Sequence, residues 1–365
     1  MKKLSMQWLA MAFVCSLLMS SCGDDTTRVS ATGSIYECLV VMDVHPLAEP
    51  EHVVSPSAYD EDINTNYDLI RATLNERMPA MPQVEPYFTV SQVNTNAFDD
   101  FLKPTRNILI IDINPHRYTQ VKAKYSRDYW SHPQAVCRVQ APDEAAFVAY
   151  WRQYGEQIRG WFINEEIARQ MRFYRGSTNK EARAALAKQT GCDMLIPEDY
   201  MLLMDSVYGD TTLFWCCNNK GSLRRDIVVY SYPYTDEQTF TADYLNARRD
   251  AVLGRFVSAT VEGSYMGTEY KVEPPICRLM QDRDVPESAR DTIGGNGFYG
   301  AEVRGLWKMY AGEAMGGPYV SLTRLDPYRG RIITAEAFVF APGQKKRSAL
   351  RQAEAVLYTL QMQAN

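Results

Sequence analysis

Two short stretches hold side chains that could do chemistry together. Asp43 closes the apolar run LVVMD with His45 just behind it, and Asp112 closes ILIID with His116 just behind it. Both runs have the continuous apolar character of buried strands. If those strands are parallel neighbours, both carboxylates fall on one rim, where parallel sheets bind their ligands. Paired carboxylates with imidazole suit a divalent metal or proton transfer, the equipment of a metal-assisted hydrolase. The plainer alternative is that each aspartate caps the turn that ends its strand. His52 and His132 stand in segments read as loops, without evident partners.

A second group is Lys345, Lys346 and Arg347, at the opening of the last expected helix. The helix dipole favours acids there, and two comparable helices do open with Asp-Glu. Free backbone N–H groups reinforced by cations form an anion site for phosphate, a lipid headgroup or an acidic partner. From Ser321 to Asn365 seven basic residues face three acidic ones, inside a chain whose formal net charge is -5. The alternative is a solvated face whose long side chains splay into water.

Several common chemistries are missing. Gly295-Asn-Gly-Phe-Tyr-Gly300 fits GxGxxG, but no strand precedes it and no helix follows, so it reads as a turn rather than a dinucleotide loop. There is no GxSxG, HExxH, phosphate-binding Walker loop or paired-Cys zinc spacing, and no cofactor is called for. The leading expectation is therefore non-catalytic binding of a partner or ligand, with the C-terminal helix as the contact. The metal-assisted hydrolase is the alternative.

The N-terminus supplies an address. Lys2 and Lys3 precede the apolar stretch Trp8 to Met19, which is followed by Ser20, Ser21 and Cys22. As a helix that stretch spans roughly 18 Å, short of the ~30 Å hydrocarbon core, so it reads as a signal peptide over residues 1–21. Leu18 to Cys22 resembles a lipobox, making Cys22 the expected lipidation site and sole membrane attachment of an envelope protein. Several acyl chains, at ~0.8 kcal/mol per buried methylene, anchor such a domain stably. Polar residues 22–33 form a tether. Loss of Lys2 and Lys3 takes the net charge from -5 to -7, and an acidic body argues against a nucleic-acid partner.

The remainder divides into expected subdomains at 34–192 and 193–365. Strands are expected near 35–43, 87–91, 107–113, 121–125 and 134–140, with helices near 67–77, 97–102 and 142–175. After Met194 come strands at 200–207, 212–218, 226–232, 299–310, 319–325 and 331–340, and helices at 240–256 and 344–361. Met315-Gly-Gly-Pro318 is read as a tight reversal. The segments QAVCRVQAPDEAAF, DIVVYSYPYTDEQTF and AEAFVFAPGQKKRSAL each read strand, Pro turn, helix. This recurrence indicates an α+β fold, mostly antiparallel, with helices packed on one face. Cys38, Cys137, Cys192, Cys216, Cys217 and Cys277 mostly lie in apolar runs, where buried free thiols are expected.

The segments LVVMD, TRNILIIDI, YSYPYTDEQTFTADYLNARRDAVL, VRGLWKM, MGGPYVSLTRLD and EAFVFAPGQKKRSALRQAEAVLYTL together resemble a Bacteroidetes lipoprotein family carrying a domain of unknown function. The resemblance covers nearly the whole chain after the signal. It implies an outer-membrane or wider envelope role and transfers no activity, substrate or catalytic residue.

Overall fold

The computed structural model describes residues 28–54, 60–290 and 299–364. The signal segment, Cys22, the first half of the tether and the greater part of the GxGxxG stretch lie outside them.

The first sheet is built from β1 (Glu37–Val41), β4 (Thr89–Val93), β5 (Asn107–Ile113), β6 (Lys122–Arg127) and β7 (Ala135–Ala141), in the order β4-β1-β5-β7-β6. A separate antiparallel hairpin, β2 (Pro46–Val54) with β3 (Asp60–Thr65), fills a segment for which the sequence predicts no strand. Strands β4, β1, β5 and β7 run parallel, and only β6 is antiparallel. This sheet is the main departure from a mostly antiparallel fold. Its apolar runs explain the choice, because central parallel strands are covered on both faces. Cys38, Val40, Leu109 and Ile111 face a core with α1 (Asn66–Leu74) and α2 (Glu144–Arg175). Leu39, Val41, Ile108 and Ile110 face Phe98, Leu102 and Trp130 on the other side.

Local chemistry fixes the helix ends. Thr65 and Asp68 form a reciprocal capping box at α1. Asp143 caps α2 by accepting from Ala146 N at 2.8 Å. Deep in the structure, Glu166 of α2 accepts from Arg106, Asn107 and Arg169, which ties the helix to the start of β5. An unforeseen helix, α3 (Lys180–Thr190), starts at an Asn179 cap and ends at left-handed Gly191.

The second sheet has eight strands: β8 (Met201–Tyr208), β9 (Thr211–Lys220), β10 (Leu223–Pro233), β11 (Tyr265–Glu269), β12 (Ile276–Gln281), β13 (Tyr299–Tyr310), β14 (Gly316–Asp326) and β15 (Arg331–Phe340). Their order is β8-β9-β10-β15-β14-β13-β11, with β12 also pairing β13, and every pair is antiparallel. The α+β class and the preponderance of antiparallel pairing match the sequence expectation. Helix placement differs here, since both faces carry one. Ile227, Val229, Ala335 and Ala337 pack with α3 and α5 (Arg347–Leu357), whereas Val228, Tyr230 and Tyr232 pack with Leu245, Val252 and Leu253 of α4 (Ala242–Phe256). Alternation along each strand separates these two cores.

Gly316 and Gly317 lie inside β14, opposite Lys308 and Trp307, and do not form the expected turn. The six cysteines of the described residues are free, and all but Cys277 are buried.

Candidate functional site

A cavity of about 450 Å³ opens on the α4 face of the larger sheet. Strand alternation builds it: Arg224 stands opposite Phe340 and Asp226 opposite Phe338 across β10 and β15, while Met266 stands opposite Met309 across β11 and β13. Trp215 of β9 and Trp307 of β13 complete the aromatic lining, and Met315 closes the turn after β13. Trp307 packs edge-on to Phe338, with ring centres 5.5 Å apart. Gly317 permits this, because a Cβ there would lie 2.0 Å from Val339 O and 3.2 Å from the Trp307 indole nitrogen. At the rim, the Thr260 hydroxyl donates to Glu313.

The polar centre of the cavity is one ion pair. Asp226 has a side-chain exposure of 0% and Arg224 one of 32%. Arg224 donates through Nε to Oδ2 and through Nη2 to Oδ1, both at 2.8 Å. The Trp215 indole donates to Oδ1 at 2.8 Å, and the guanidinium sits 5.6 Å from the centre of that ring. Burial lifts the Asp226 carboxyl above its ordinary range by more than the Arg224 and Trp215 hydrogen bonds lower it. An apolar, deformable wall of methionines and aromatics with one fixed polar point suits binding.

The strand-end aspartates prove to be neighbours without being partners. Strands β1 and β5 are parallel, and Val41 aligns with Ile110, so Asp43 and Asp112 follow at equivalent positions. Asp43 Oδ1, however, accepts from Thr95 N at 3.1 Å, and Asp112 Oδ2 accepts from the Tyr118 hydroxyl at 2.7 Å. His45 is exposed and uses its backbone N–H on Asn66 Oδ1; His116 is also exposed. Among the described residues, no group of three or more His, Cys, Asp or Glu is placed to hold a metal ion. Asp43 thus holds the segment that follows β4 rather than its own turn, and Asp112 holds a tyrosine hydroxyl in the loop after β5. His52 and His132 are not partnerless: they lie 2.8 Å from Asp62 and 2.9 Å from Asp128.

The basic trio is also corrected. Helix α5 starts at Arg347, later than expected, with Lys346 as its cap residue. An anion does occupy its N-terminus, but it is the chain's own Glu85. Lys346 N donates to Oε1 at 2.7 Å and Arg347 N to Oε2 at 2.9 Å. Glu85 is 2% exposed and Lys346 6%, while Lys345 points to solvent. Most of α5 is buried against the rest of the molecule.

The cavity residues escaped the sequence reading because they come from five strands between positions 215 and 340. The available signal was the paired spacing Trp307/Met309 and Phe338/Phe340, large apolar residues two apart on one strand face.

Fold and site thus define an α+β protein with two main sheets and an aromatic, methionine-lined cavity. Two family models, each described as a domain of unknown function, match the chain: DUF8532 over residues 52–175 and DUF4837 over residues 178–359. The matches meet between α2 and α3, so α3 falls with the larger sheet, against which it packs. No curated protein matches the sequence.

Proposed function

We propose that this protein is a lipid-anchored, non-catalytic binding protein of the cell envelope that takes a small apolar ligand. The observation that carries the reading is the cavity formed by Trp215, Trp307, Met309, Met315, Phe338 and Phe340 around one fully satisfied ion pair. A ligand there gains about 25 cal/mol for each Å² of apolar surface it buries. The address rests on the Lys2/Lys3, apolar stretch and Cys22 sequence. Among the described residues no helix is long and apolar enough to cross a membrane, so in this reading the lipid on Cys22 provides the attachment.

The test is titration of the protein with an environment-sensitive apolar dye, alone and with envelope lipid extract as competitor. Trp215→Ala and Met315→Glu should each weaken binding about tenfold, or about 1.4 kcal/mol. Unchanged dissociation constants in both variants would sink the ligand reading. Separately, a Cys22→Ser protein that still took up labelled fatty acid would sink the anchor.

A further inference from the structure

We infer that a second cavity, on the opposite side of the larger sheet, binds a small carboxylate carried on a hydroxylated ring, as in a uronic acid. This cavity holds about 380 Å³ and lies where the end of α2, the segment before β8 and the start of β10 meet. Its floor includes Tyr200 and Arg225, and Phe173 stands at its edge.

Three observations converge. First, Arg225 makes no ion pair among the described residues, and its Nε is buried without a hydrogen-bond partner. Its one side-chain bond is from Nη1 to Gln352 Oε1, at 2.6 Å. The Nε–Nη2 edge, the fork that grips carboxylates in bidentate fashion, is left uncommitted. Second, Tyr200 is 2% exposed, and its hydroxyl also lacks a partner. Burial pushes that phenol well above its ordinary pKa, so it remains a donor at neutral pH. A buried polar group without a partner is destabilising, and a ligand oxygen reaching either donor would supply one. Third, Phe173 is 70% exposed, an unusual position for an aromatic ring beside a polar cavity. It offers a flat face to the C–H side of a sugar ring.

The carboxylates in the lining do not oppose this assignment. Glu198 accepts from the Ser177 hydroxyl, and Asp199 is paired with Lys220 at 2.8 Å. Neither is bound to Arg225, and both can accept hydrogen bonds from ring hydroxyls. The guanidinium selects the acid, the acidic and amide side chains select the hydroxyls, and Phe173 selects the ring.

Calorimetric titration of the whole protein tests the assignment with glucuronate, glucose, acetate and inorganic phosphate as probes. Glucuronate should bind at least about tenfold more tightly than the other three. Arg225→Gln should weaken glucuronate about tenfold or more, and Phe173→Ala about three- to fivefold, as expected for a charge-assisted contact and a stacking contact. Phe173 is exposed, so its variant keeps the test valid even where Arg225→Gln unfolds. Absence of glucuronate binding, equal binding of glucose, or glucuronate affinity unchanged by Phe173→Ala would overturn the proposal. Equal binding of acetate or phosphate would overturn it too, leaving a bare anion site. Dye binding at the Trp215 cavity should be unaffected by either variant, so the two sites fail or stand separately.

Discussion

The two sheets handle charge in opposite ways. In the parallel sheet, the acids Asp43 and Asp112 stand where their strands end, in reach of water, Asp43 on Thr95 N and Asp112 on the Tyr118 hydroxyl and, at 3.8 Å, the Arg138 guanidinium. In the antiparallel sheet, the charged residues sit within strands: Asp226, Glu302, Arg304 and Glu336 are each part of a buried pair or network. Arg249 of α4, buried itself, meets Glu336 through Nε at 2.9 Å and Nη2 at 2.7 Å, with its guanidinium 3.7 Å from the Tyr319 ring centre. An acid at a strand end has water as its alternative partner, whereas a mid-strand acid under a helix has none. The second kind therefore costs far more to orphan.

The largest expected effect follows from that contrast. Arg249→Met leaves Glu336 buried and unpaired and should cost about 3–5 kcal/mol in urea unfolding. Adding Glu336→Leu should restore most of the loss, as removal of both partners does in other buried pairs. A single-variant cost below about 1 kcal/mol would erase the distinction between the sheets.

Next comes the pH dependence. Burial would raise the Glu166 carboxyl, but the Arg106 hydrogen bond and the Arg169 charge outweigh it and hold the group below the ordinary carboxylate range. A depressed folded-state pKa gives stability that is present above the unfolded value and lost as pH falls through the folded one. Asp226 and Glu336 are shifted upward, so their contribution has the opposite sign: it is present at low pH and lost as pH rises through their folded values. Glu166→Gln should accordingly flatten the fall in stability on acidification, and Asp226→Asn should not. Chemical denaturation between about pH 3 and 7 reads both slopes across the carboxylate range; equal flattening by the two would contradict the assignment.

A smaller effect is expected at α5. Glu85→Ala removes the acceptor of two backbone N–H groups and should cost about 1–2 kcal/mol, the range of a lost helix cap. Asp43→Asn and Asp112→Asn should each fall within about 0.5–1 kcal/mol, as substitutions near the surface do. A larger penalty at either aspartate would show that the rim does more than end two strands.

Periodicity made much of this architecture legible. The runs at 107–113, 226–232 and 331–340 are long and apolar on both faces, and each is a strand within a residue or a few of its expected ends. Helix α3 is marked in sequence only by its Asn179 and Gly191 caps, because its small, weakly apolar residues give little stripe. The hairpin at 46–65 was hidden by prolines that an edge pairing tolerates. Gly316-Gly317 misled because the usual reason for paired glycines is a turn. Here the reason is the close approach of Val339 and Trp307, which no local pattern records. Both cavities are assembled from residues far apart in the chain, and the same holds for the partner of the basic trio, 261 positions away.

That last separation bears on modularity. Residues 52–175 and 178–359 match two different families, which invites treating them as detachable cassettes. The acid that terminates α5 belongs to the first of them and the helix to the second. A fragment beginning near residue 178 would carry its final helix with two inward-facing amides and no acceptor. The seam between the families is thus a boundary in sequence that the folded molecule does not respect.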